Sequence, residues 1–78
     1  MHDLSVDMPA EYELQVQGEL PSNRFDGLIV RYEYPITTIR GTVKDQSALL
    51  GIIRQLINHG YPLLMVRYIA NQTAEEAS

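Results

Sequence analysis

Two histidines, ten acidic and six basic side chains are the groups in this 78-residue sequence that could do chemistry, and there is no cysteine among them. His2 and His59 are the only side chains whose ordinary pKa lies near neutrality. His2 falls in an aperiodic N-terminal stretch, and His59 falls where a helical pattern ends, a place that unpaired carbonyls and the helix dipole explain without catalysis. Neither stands at metal-ligand spacing from the other or from a carboxylate cluster. Glu13 and Glu19 belong to the polar side of an alternating segment, and Glu75 and Glu76 to an acidic, polar end. None of these contexts supplies the desolvation or close charged partner that moves a carboxyl group toward acid–base work. A chain without cysteine forms no disulfide, thiolate nucleophile or thiolate metal site. Glycine-rich phosphate loops, nucleophile elbows and calcium loops are likewise missing from the sequence. The expectation is a protein that is not an enzyme, with no catalytic residue, cofactor or metal.

The arginines are more suggestive. Arg31, Arg40 and Arg67 all fall on one side of the expected strands, together with Ile29, Leu63, Met65 and Ile69. That set reads as an interface or as contacts for an anion, since guanidinium groups pair with carboxylates of a ligand or of another chain. The plainer alternative is a solvated face on which the arginines pair locally with Glu13, Glu33 or Gln15.

Positioning these residues requires a sheet and one helix. From Tyr12 to Leu20 apolar and polar residues alternate, a half-buried strand, with Gly18 on the apolar side where another element could approach closely. Pro21-Ser22-Asn23 stops it, and Asp26-Gly27 provides a turn. Phe25 in this loop reads as a lid over the end of the core. Leu28–Tyr34 alternates again, Pro35 breaks the pattern, and Thr37–Val43 completes a hairpin. Asp45 is a natural N-cap for a helix from Gln46 to His59, in which Leu49, Leu50, Ile52, Ile53, Leu56 and Ile57 share an arc of about 160°. Gly60 and Pro62 end it. The last strand, Leu63–Ile69, has Leu64, Val66 and Tyr68 on one side and Leu63, Met65 and Ile69 on the other, so it is apolar on both. Tyr32, Tyr34 and Tyr68 read as core residues with hydroxyls reaching an edge.

The fold class is therefore α+β, a four-stranded, mostly antiparallel sheet in the order β1-β2-β3-α-β4 along the chain, with one amphipathic helix on one face. Connection rules predict a three-strand meander and a spatial order 3-2-1-4, with the fourth strand parallel to the first. One domain spans 11–70, between flexible tails over 1–10 and 71–78. A formal charge of −4 opposes nucleic-acid binding. No apolar run is long enough for a membrane span and the start of the chain lacks a signal-peptide pattern, so the expected location is the cytoplasm.

The stretches VQGELPSNRFDGLIV and ALLGIIRQLINHGYPLLMVRYI resemble a group of small bacterial proteins of unassigned function. The first match is carried by Gly18, Leu20, Phe25, Gly27 and Leu28, with Gly41, Asp45 and Gln46 following. Leu49, Gly51, Leu56, Gly60, Pro62, Leu63, Leu64 and Val66 carry the second. Arg24 stands where that pattern often has tryptophan before the phenylalanine. The resemblance implies a shared fold and a shared partner, and no site residue. With apolar groups expected on both faces of the last strand, the sequence points to a homo-oligomer, most simply a dimer, that serves as a protein-interaction module and contacts a further protein. The alternative is a small regulatory domain that holds an anionic metabolite on the arginine-bearing face.

Overall fold

The computed structural model describes residues 9–71. Its elements are β1 (Ala10–Gln17), β2 (Ile29–Glu33), β3 (Ile36–Val43), α1 (Gln46–Asn58) and β4 (Leu63–Asn71). The α+β class holds: four antiparallel strands form one sheet and α1 lies on one face of it. Of the expected tails, residues 1–8, with His2, and 72–78, with Glu75 and Glu76, lie outside the described residues. Ala10 and Asn71 belong to β1 and β4.

Local chemistry sets the ends of the helix. The Asp45 carboxylate accepts from the Ala48 amide at 2.8 Å, satisfying one of the orphan N–H groups of the first turn. At the other end Gly60 takes φ +85°, and the amides of Gly60 and Tyr61 donate to the Ile57 and Leu56 carbonyls, each at 3.0 Å. His59 closes the helix as its C-cap. Its Nδ1–H donates to the Gln55 carbonyl at 2.9 Å, so the ring serves the helix end.

The spatial order is β2-β3-β1-β4, which corrects the expected 3-2-1-4. Both β1 and β2 run antiparallel to β3, so the first connection is a crossover past β3 rather than the tight turn of a meander. The whole stretch 18–28 makes this passage, and its apolar residues let it lie on the sheet. Leu20 is buried, and Phe25 and Leu28 pack against the core. Thr37 ties the departure of the loop down: its hydroxyl donates to the Gly18 carbonyl and accepts from the Leu20 amide at 3.3 Å. That one crossover inverts everything after it. The helix still returns the chain so that β4 runs parallel to β3, as expected of a β-α-β unit, but β1 sits between them and β4 is therefore antiparallel to β1.

The core forms between sheet and helix from Leu14, Val16, Leu20, Ile39, Val43, Leu49 and Leu56. Phe25 lids it, as the sequence suggests.

Candidate interaction surface

The alternation of β1 and β3 turns Glu11, Glu13, Thr38 and Arg40 away from the helix, and their sheet partners follow them. Arg31 pairs with Thr38, Ile29 with Arg40, Arg67 with Glu13 and Met65 with Gln15. Five of the seven residues singled out from the sequence, Ile29, Arg31, Arg40, Met65 and Arg67, therefore share the open face. Leu63 does not: it lies opposite Val16 and packs against the core, because the register of β4 shifts between Gln15 and Val16. Ile69 falls at the second register shift, between Glu11 and Tyr12, and is half-buried.

Arg31 and Arg40 line one depression on this face, and Arg67 does not. Arg40 bonds the Glu11 carboxylate at 2.8 Å and Arg67 bonds that of Glu13 at the same distance. The hydrogen bond and the charge of Glu11 hold the Arg40 pKa above its already high value. A shallow depression of about 610 Å³ lies on this face between Glu11, Glu13, Ile29, Arg31, Thr38 and Arg40. Arg31 is the one arginine at its rim without an ion pair among the described residues. Glu11 and Glu13 balance Arg40 and Arg67, so the charge of Arg31 remains at the rim beside the exposed Ile29. Among the described residues no three histidine, aspartate or glutamate side chains are grouped to hold a metal ion.

Apolar surface is concentrated on the helix side instead. One helix about 10 Å wide covers roughly two strands of a sheet whose strands lie about 4.8 Å apart. The crossover loop takes up the β2–β3 side, where Phe25 and Leu28 border a hollow together with Ala48 and Ile52 of α1. That leaves β4 at the edge. Val66 and Tyr68 lie opposite Leu14 and Tyr12 and so point to the helix side, where the Tyr12 and Tyr68 rings meet edge to face at 5.6 Å. Even so, Leu64, Val66 and Tyr68 are 49%, 40% and 54% exposed. On α1 the flank opposite Ile52 carries Leu50 and Ile57, which are 54% and 57% exposed. These five residues were expected in the core, and they form an uncovered flank instead. Of the other tyrosines read as core, Tyr34 is 85% exposed at the hairpin tip and Tyr32 is 37% exposed on the edge strand β2. The breadth of the helical stripe, more than one helix can press onto a sheet, was the available signal that part of it stays uncovered.

The fold and this flank define a class: a small α+β domain with a helix-covered antiparallel sheet, one polar face and one apolar side. A profile for a domain of unknown function, DUF8691, matches residues 11–67. The chain belongs to that family. No curated protein and no solved structure matches it. Among the described residues no helix is long and apolar enough to cross a membrane.

Proposed function

We propose that this chain is a noncatalytic protein-interaction module that works as a homo-oligomer. The observation that carries the reading is the uncovered flank of Leu50, Ile57, Leu64, Val66 and Tyr68, all large, apolar and about half exposed. Side chains of this size at that exposure leave on the order of 500 Å² of apolar surface in water, at the upper end of the largest patch on an ordinary monomer. Burying it stabilises the chain by the same transfer free energy that forms the core, which favours association in a domain this small. The resemblance of its sequence to small bacterial proteins of unassigned function supports a bacterial setting.

Sedimentation velocity of the full chain tests this. A dimer or larger species at micromolar concentration is expected, and a monomer persisting to about 100 μM would refute the reading.

A further inference from the structure

Resting on that reading, we infer that the partner covering the flank is a second copy of this chain, joined by antiparallel pairing of β4 with β4 about a two-fold axis at Val66.

The two edges of the sheet are built differently. β2 has 5 residues, carries Arg31 and Glu33, and runs into Pro35. Short length, alternating charges and a nearby proline are among the devices by which edge strands avoid pairing, and the register shifts of β4 leave its Met65–Tyr68 stretch regular. β4 has 9 residues, LLMVRYIAN, without proline or acid, and its single charge, Arg67, is already held by Glu13. Nothing among the described residues pairs with its outer side. In a chain of formal charge −4 the acids have been kept off this strand.

Two-fold geometry restricts the register. Antiparallel copies related by an axis perpendicular to the sheet place both helices on the same side, and one residue of β4 must face itself. The regular part of β4 runs from Met65 to Tyr68, between the two register shifts. Centring the axis on Arg67 would oppose two guanidinium groups. With Val66 at the axis, Arg67 lies opposite the partner's Met65 and Tyr68 opposite the partner's Leu64, so no like charges meet and the apolar row continues across the junction. Leu50 and Ile57 of the two helices then overhang the joined strands from one side. The apolar flank supplies on the order of 500 Å² of the roughly 800 Å² that each partner buries in a standard interface, and the strand backbones supply more.

The absence of cysteine makes the test clean. Facing residues of antiparallel strands have Cα atoms about 4.5–5.5 Å apart, within the range a disulfide spans. Under mild oxidation Val66→Cys is expected to form a covalent dimer at least about tenfold faster than Arg67→Cys or the β2-edge variant Ile29→Cys. Val66→Lys, at a position already in contact with water, is expected to keep the monomer fold by circular dichroism and to raise the dimer dissociation constant at least about 100-fold. A wild-type dimer with fastest cross-linking at Ile29→Cys, or one unaffected by Val66→Lys, overturns the β4 pairing while leaving self-association in place. Faster cross-linking at Arg67→Cys overturns the register. A wild-type monomer overturns both.

Discussion

The Thr37 hydroxyl, completely buried on β3, donates to the Gly18 carbonyl and accepts from the Leu20 amide, so a single side chain fixes the point at which the crossover loop leaves the sheet. Thr37→Val keeps the shape and strands both backbone groups. We expect a loss of about 2 kcal/mol in urea denaturation, with Thr37→Ser retaining most of the stability. Gly41 marks where the same loop comes down. A Cβ there would meet Leu28 Cδ2 at 2.7 Å and the Gly27 carbonyl oxygen at 3.3 Å. Gly41→Ala is expected to cost about 1–3 kcal/mol, and less in a Leu28→Ala background, since part of the clash is with the Leu28 side chain. Neither role was legible in the sequence, where Thr37 is one of three threonines in the strand and Gly41 stands between Arg40 and Thr42. What singles them out is the loop lying over them, a contact made by residues distant along the chain.

At the scale of elements, what depends on neighbours within a turn or two was readable and what depends on pairing was not. The helix begins where Asp45 predicts and ends within a residue of expectation, because caps and stop signals act through adjacent backbone groups. Asp45→Ala is expected to destabilise the chain by about 1 kcal/mol in the same denaturation assay, and Asp45→Asn by less, since asparagine also caps. The hairpin of β2 and β3 followed from the short break at Tyr34-Pro35. The link from β1 to β2 reads as an ordinary turn because of its Pro, Ser, Asn and Gly residues. Leu20, Phe25 and Leu28 make it a loop that packs, long enough to pass a neighbouring strand. With β1 and β2 parallel to each other, β4 runs antiparallel to β1 where the turn-like loop predicts a parallel neighbour.

For the whole molecule, the question is where apolar surface remains after the single helix and the loop have been placed. If the flank along α1 and β4 is buried in a dimer, mass action ties folding to concentration. A tenfold increase in protein is then expected to raise the thermal midpoint by several degrees, on the order of 5 °C, and Val66→Lys to abolish the dependence. Composition and periodicity by themselves determined the class of fold, the helix with its caps, and the excess of apolar residues on the last strand, since each is a property of neighbouring side chains. Tertiary structure alone decided that β2 rather than β3 stands at the edge opposite β4, that Glu11 and Glu13 neutralise Arg40 and Arg67, and that most of the uncovered apolar groups lie beside the helix, with Ile29 on the reverse of the sheet. Strand order is the cause. It depends on which distant segments pair, and periodicity along one strand, which says only how its side chains alternate, does not encode its neighbour.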